Sequence, residues 1–326
     1  MSFARNISVL ALFSIMLGLA PAALSETQVL RAAVLEFGTV NWELDTIEHY
    51  GLDEANGFDL EVQGMAGSSA AQVAFQGGET DVIVSDWLWV ARQRANGKDY
   101  VFIPYSKAVG GLMVPGDSDA LTIADLNGGK IGIAGGPLDK SWLILRAFAE
   151  QEHRMDLMAS TEQVFGAPPL IYKTALAGDL DGAINFWHYM AKMEAGGMEL
   201  LVSVEDAALA LGLDPNTPLL GYVVREELIE SNPSAVAGLA TASREAKELL
   251  AEDAEAWERL RPRMNAASDA EFDALVSGWR AGIPEAGPID TDAADRMLRF
   301  MAELGGEDLL GSVKELPDGV FYQPGS

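Results

Sequence analysis

The chain has 326 residues, 49% of them hydrophobic, which suits a globular protein with room for two domain cores. Its 49 acids against 22 bases leave a formal charge of −27, which argues against nucleic acid as a partner. Cysteine is absent, excluding disulfides, thiolate metal sites, cysteine nucleophiles and a lipid-modified cysteine anchor.

Arg5, the uncharged run 7–20 and Ala23-Leu24-Ser25 have the layout of a cleavable secretory signal peptide, with cleavage expected after Ser25. The run is too short to span a bilayer comfortably. A first strand is expected over 29–35, ending in Glu36-Phe37-Gly38-Thr39. A helical segment begins at Asn41-Trp42-Glu43 and runs past His49-Tyr50 to the turn Ala55-Asn56-Gly57. Residues 58–62 alternate as a second strand, and the loop Gly64 to Ser69 leads into a helix over 70–76. Ser68 or Ser69 is expected to cap that helix, whose start can also hold a polar or anionic group.

Next comes a stretch that the chain uses twice. Residues 78–97, GETDVIVSDWLWVARQRANG, return one hundred positions later as GDLDGAINFWHYMAKMEAGG. Gly78 and Gly178, Asp81 and Asp181, Trp87 and Trp187, Ala91 and Ala191, Ala95 and Ala195, Gly97 and Gly197 match. Each copy reads as a Gly-x-x-Asp turn, a short buried strand, a tryptophan at its end and a helix. Ligands of open α/β sheets bind beyond the carboxyl ends of strands. Two such ends, each with an indole, predict two lobes closing on one ligand.

Between the copies, strands are expected over 100–103 and 109–114, with Pro104 to Lys107 making the first crossing into a second lobe. A short helix over 121–126, a strand over 130–134, the turn Gly135 to Ser141 and a helix over 142–150 follow. That turn reads as the second lobe's counterpart of the Gly67 loop. A strand over 162–165, the rigid loop Gly166-Ala167-Pro168-Pro169 and a helix over 170–177 precede the second copy. Residues 220–224 read as the strand returning to the first lobe. Helices then follow, started by Asn232 before Pro233 and by the capping-box spacing Ser268 to Glu271. Trp257 and Trp279 fall at core positions of these helices, and the tail 317–326 is rich in turn residues.

This order of segments resembles the periplasmic solute-binding proteins of ABC importers, nitrate/sulfonate/taurine (NitT/TauT-like) type. Three stretches carry the likeness: GFDLEVQGMAGSSAAQVAFQGGETDVIVSD, LTIADLNGGKIGIAGGPLDKSWLILRAF and TALAGDLDGAINFWHYMAKMEAGG. It extends over about 29–256. The resemblance implies an α/β, bilobed type II periplasmic-binding fold with a two-segment hinge. Residues 1–25 are then the signal peptide, 26–108 and 109–217 the first and second lobes, and 218–326 the return strand and C-terminal helices of the first lobe. It also implies a monomer that lies in the periplasm, is not a lipoprotein, and has as partners a small-molecule ligand and an ABC permease with its ATPase. Contact roles carry over to Gly67, Ser68 and Ser69, to Ser85-Asp86-Trp87, to the turn from Gly136 through Asp139 and Lys140 to Ser141, and to Phe186-Trp187. The chain departs from the family at Asp86-Trp87-Leu88-Trp89 and at Pro137-Leu138-Asp139, where small or hydroxyl residues are common, which weighs against an anionic ligand.

The expected strand ends are aromatic and acidic, with Glu36, Trp42, Glu43, Asp86, Trp87, Trp187, His188 and Tyr189, against few bases, namely Lys107, Lys140 and Arg146. Aromatic faces attract cations and stack on flat rings, whereas an anion wants arginines or many donors. A thiamine-precursor pyrimidine or an amine fits the residues; a sulfonate, taurine or nitrate-like anion fits the family. A metal held by Glu36, Glu43 and Asp86 is a weaker third reading, and no metal or cofactor is expected. An enzyme is not expected either, since His49, His153 and His188 lack a motif-spaced Ser or Cys partner. A sensing subunit that reports to a membrane receptor is the alternative role, ahead of an enzyme on the same fold.

Overall fold

The computed structural model describes residues 28–323. Two five-stranded sheets are built in succession. The first takes β1 (Gln28–Leu35), β2 (Phe58–Met65), β3 (Val82–Asp86) and β4 (Tyr100–Ser106), with α1 (Val40–His49), α2 (Leu52–Ala55), α3 (Ser68–Gln76) and α4 (Trp87–Ala95) between them. The second takes β5 (Gly111–Pro115), β6 (Lys130–Ala134), β7 (Glu162–Gly166), β8 (Gly182–Asn185) and β9 (Met198–Ser203). Its helices are α5 (Lys140–His153), α6 (Leu157–Ser160), α7 (Pro168–Leu176), α8 (Trp187–Ala195) and α9 (Val204–Ala210), and Ile123–Leu126 is a 3-10 turn. The chain then returns through β10 (Leu220–Arg225) to the first sheet. It ends in α10 (Glu226–Ser231), α11 (Pro233–Glu252), α12 (Ala254–Met264), α13 (Asp269–Ala281) and α14 (Thr291–Leu310). The strand orders are β2-β1-β3-β10-β4 and β7-β6-β8-β5-β9. β10 runs antiparallel between β3 and β4, and β5 antiparallel between β8 and β9; the outer three strands of each sheet are parallel. This is the bilobed type II periplasmic-binding arrangement expected from the sequence.

The hundred-residue repeat runs further than its twenty residues. α3 and α7 occupy 68–76 and 168–176, α4 and α8 occupy 87–95 and 187–195, and α1 and α5 begin at 40 and 140. Gly78 and Gly178 both have φ near +80°, where a side chain would be strained. Asp81 and Asp181 then do one job twice. Each carboxylate accepts a backbone N–H of the central parallel strand, from Arg31 within β1 at 3.1 Å and from Lys130 at the start of β6 at 2.7 Å. Each aspartate's own N–H returns a bond to the carbonyl of that same residue. The Gly-x-x-Asp turn is thus a register pin between neighbouring strands.

Several local expectations change. The helix begun at Asn41 breaks at Gly51, whose φ of +64° ends α1 and starts α2. Gly67, not Ser68 or Ser69, occupies the N-cap of α3, and no side chain caps it. The turn 135–139 follows β6, which pairs with β7 and β8 as β1 pairs with β2 and β3. Its counterpart is therefore the loop after β1, not the Gly67 loop. Residues 1–25, expected to form a signal peptide, lie outside the described part of the chain. Among the described residues no helix is long and apolar enough to cross a membrane.

Under the first sheet a polar network is shut away from water. Glu43 of α1, 0% exposed, lies 2.7 Å from the Lys247 ammonium of α11 and accepts Tyr222 Oη at 2.8 Å and Ser243 Oγ at 2.6 Å. Lys247 also sits over the Tyr105 ring, 4.9 Å from its centroid. Burial pushes the Lys247 ammonium below its ordinary range, with the Glu43 charge opposing. Removing one partner of a buried pair strands the other. Lys247→Met is expected to cost about 3–5 kcal/mol in urea unfolding, and Glu43→Gln with Lys247→Met to recover much of that, because Gln still accepts from Tyr222 and Ser243.

Candidate ligand-binding cleft

In each sheet the strand order reverses beside the first parallel strand, so the switch points lie at the carboxyl ends of β1/β3 and β6/β8. These ends face each other, and the two lobes touch on both flanks between them. On one flank α1 meets α8. The Trp42 and Trp187 rings stand edge to face with centroids 6.0 Å apart, and Trp257 also meets Trp42 edge to face at 6.0 Å. On the other flank, Asp86 at the end of β3 meets Lys140 at the start of α5. Lys140 Nζ donates to Asp86 Oδ2 at 2.8 Å.

The ionic flank is built from helix caps. Asp86 Oδ1 accepts the Trp89 N–H at 2.8 Å, capping α4, and Asp139 Oδ1 accepts the Trp142 N–H at 3.0 Å, capping α5. The Asp86 charge, with Asp139 adding, raises the Lys140 pKa against the cost of burial. Burial raises the Asp139 pKa, opposed by its cap bonds and by Lys140. The aromatic flank lacks such caps: neither Thr39 before α1 nor Phe186 before α8 bonds the helix start through its side chain. Opposite flanks of one cleft thus differ in chemistry, although the helices around them obey one repeat.

The sequence-derived site residues are only partly brought together. Glu36, Ser68 and Ser69 are exposed at the ends of β1 and β2, with Gly67 half-buried beside them. Across the cleft, Gly136, Asp139, Lys140 and Ser141 are half-buried, Phe186 is exposed and Trp187 and His188 are half-buried. Trp42 is buried and reaches the cleft only as the backing of Trp187. Lys107 donates to Asn216 Oδ1 at 3.0 Å in the hinge. Two assignments are corrected. Glu43 is consumed by Lys247, Tyr222 and Ser243 inside the first lobe and is not available to a ligand or metal. Trp87 is 0% exposed and packs against Phe321 at 5.6 Å, because the first turn of α4 directs it into the core under the C-terminal tail. Its repeat mate Trp187 has no such tail above it. Among the described residues no cluster of His, Asp and Glu is placed to hold a metal ion.

Other contributors were not singled out from the sequence. Asn185, buried at the end of β8, donates to the Pro168 carbonyl at 3.0 Å and accepts the Phe186 N–H at 2.9 Å, fixing the loop that bears Phe186 and Trp187. Asn41 does the same after β1, donating to the carbonyls of Leu35 and Gly38 at 2.8 Å, which holds out Phe37 at 87% exposure. The pairing of Trp42 with Trp142 at the third position of α1 and α5 would have located both helix starts, had the repeat been followed upstream. A cavity of about 30 Å³ between Leu88, Ile144, Ala208 and Met297 is apolar and far smaller than a small-molecule site.

Comparison with known proteins matches residues 50–256 to the family described as NMT1/THI5 like. No curated protein matches the sequence. The fold is similar to that of the periplasmic aliphatic sulphonate binding protein SsuA from Escherichia coli, at 17% identity and a TM-score of 0.73, covering 92% of this chain and 93% of that one. The alkanesulfonate-binding protein SsuA from Xanthomonas axonopodis pv. citri, bound to MOPS, is similar at 16% identity and 0.68, covering 91% and 99%. A zinc-bound ligand-binding component of an ABC-type import system from Staphylococcus aureus is similar at 12% identity and 0.66, covering 91% and 97%.

Two outcomes are expected from this geometry. Trp87→Ala should act on the core, lowering stability by about 3–5 kcal/mol in thermal or urea unfolding. His188 should respond to pH: burial, with Lys192 adding, holds its pKa at about 4 against an ordinary 6.5. The neutral ring is the one the fold favours, so its contribution is present above pH 6.5 and is lost as pH falls toward 4. Wild-type stability should drop across that window by at most about 3 kcal/mol more than that of His188→Gln.

Proposed function

The chain belongs to the NMT1/THI5-like family, and from that premise we propose that it is the periplasmic solute-binding component of an ABC importer. It captures a small molecule between its two lobes and delivers it to the permease. The observation that carries this reading is the apposition of two like sheets at their carboxyl ends, touching at Trp42–Trp187 and at Asp86–Lys140. Hinge closure around a ligand uses that geometry, and a closed form offers a permease a surface the open form lacks. A receptor, not a catalyst, fits the site: His188 is ringed by Phe186, Trp187 and Tyr189, aromatic neighbours that offer it no nucleophile to activate.

The ligand is read as one with a flat ring or a positive group, of the thiamine-precursor pyrimidine or amine class. The Lys140 ammonium is engaged by Asp86, Lys107 is engaged by Asn216, Arg146 lies over the Trp142 ring, and His188 is neutral near pH 7. An anion would have to take Lys140 away from Asp86. The names of the two SsuA relatives support the competing sulfonate reading.

Thermal-shift and calorimetric titration with an aminopyrimidine, a primary amine, taurine and nitrate will separate these readings, since a ligand that binds the native state raises its melting temperature. For a ring or amine, Trp187→Ala should weaken binding by about 1–3 kcal/mol, and Asp86→Asn should weaken it as well. Tighter binding of taurine by Asp86→Asn, with loss in Lys140→Met, would instead establish the sulfonate reading. Failure of the whole panel to shift the melting temperature would count against a receptor for these classes. Loss of uptake of the bound compound in a strain lacking the protein would separate delivery from sensing.

A further inference from the structure

The hinge is not the only tie between the lobes. The C-terminal helices grip the second lobe from both flanks. On the aromatic flank, α13 lies along α8 of the second lobe. Lys192 of α8 forms an ion pair with Glu271 at 2.8 Å and donates to the Asn265 carbonyl at 3.1 Å. The contact is closest at Gly278. A Cβ built there would stand 2.9 and 3.0 Å from Cε3 and Cζ3 of Trp187, so the indole rests on bare backbone. One turn on, the Gly282 carbonyl accepts the Lys107 N–H of the hinge at 2.9 Å. On the ionic flank, α14 packs on α5 of the second lobe through Met297, Met301 and Ile144. It is fixed to the first lobe by Arg92, which donates to the carbonyls of Asp308 and Leu309. The tail completes the anchorage, with Phe102 donating to the Val320 carbonyl at 2.7 Å.

We propose that the C-terminal helices form a two-armed brace that sets how far the lobes open, and that Gly278 is its positioning residue, seating Trp187 against Trp42 in the closed arrangement. A side chain at 278 would push the indole off its seat. α8 would then have to move with it, because Trp187 is the first residue of that helix. A hinge made of two crossing segments alone would leave the lobes free to swing; a helix on each flank does not. The proposal builds on the receptor reading only in taking closure as the working motion, and its test needs no ligand.

The absence of cysteine allows clean labelling of the full chain. Ser69 and Pro169, both exposed, stand in the first turns of α3 and α7, just beyond β2 and β7 at the sheet edges remote from the hinge. Spin labels on Ser69→Cys with Pro169→Cys report the interlobe distance by pulsed dipolar spectroscopy. The expected result is one narrow, short distance in the parent chain and a longer, broader distribution in Gly278→Leu. Gly278→Ala should show a smaller shift, which Trp187→Phe, lacking the outer indole ring, should reverse. If Gly278→Leu does not fold, Gly278→Ala is read by the same criterion. A folded variant with the parent's distribution would overturn the proposal, as would a parent chain already spread over open distances. Both results would leave the ligand-binding measurements standing by themselves.

Discussion

One carboxylate joins the two halves of this molecule. Asp86 spends one oxygen on the first turn of its own helix and the other on Lys140 of the opposite lobe. The first bond fixes where the carboxylate points, and the second uses that direction to hold the lobes at a defined separation. A charge placed this way costs desolvation on both sides. The capping bond persists within the first lobe, whereas the pairing with Lys140 offsets that cost only while the lobes are together. The ion pair therefore belongs to the arrangement in which the lobes meet.

The opposite flank solves the same problem without charge. Trp42 and Trp187 meet edge to face, and Trp257 and Gly278 complete the seat. The lobes are built on one pattern of helices, a hundred residues apart, yet each flank pairs non-equivalent helices: α1 with α8, and α4 with α5. Caps that differ between the copies thus end up opposite one another. Asp86 and Asp139 share the ionic flank, and Thr39 and Phe186 share the aromatic one. The space between them is thus walled by a polar flank on one side and an apolar flank on the other.

Behind the aromatic flank, the Glu43–Lys247 pair with Tyr222 and Ser243 ties α1 and α11 to the middle of the first sheet. Apolar residues of similar volume would pack there as well. What the network adds is register, because its hydrogen bonds are all made in one placement of α1. That placement sets Trp42, and through it Trp187.

Much of the fold was legible in the chain itself. The strand pattern, the Gly-x-x-Asp pins and the repeated Trp-headed helices follow from local periodicity and turn chemistry, and these are properties of a few neighbouring residues. Which of two matching tryptophans is shut into the core was not legible. Trp87 and Trp187 head equivalent helices, but the tail from 320 to 323 covers the first, a contact over more than two hundred residues, and leaves the second half-buried between Trp42 and Gly278. The same holds for the acids. Glu43 and Asp86 look alike as carboxylates near strand ends, and only the position of Lys247 and Lys140 in space makes one a buried strut and the other a bridge between lobes. Local sequence determines what each element is; long-range packing decides which side chains are left over for binding.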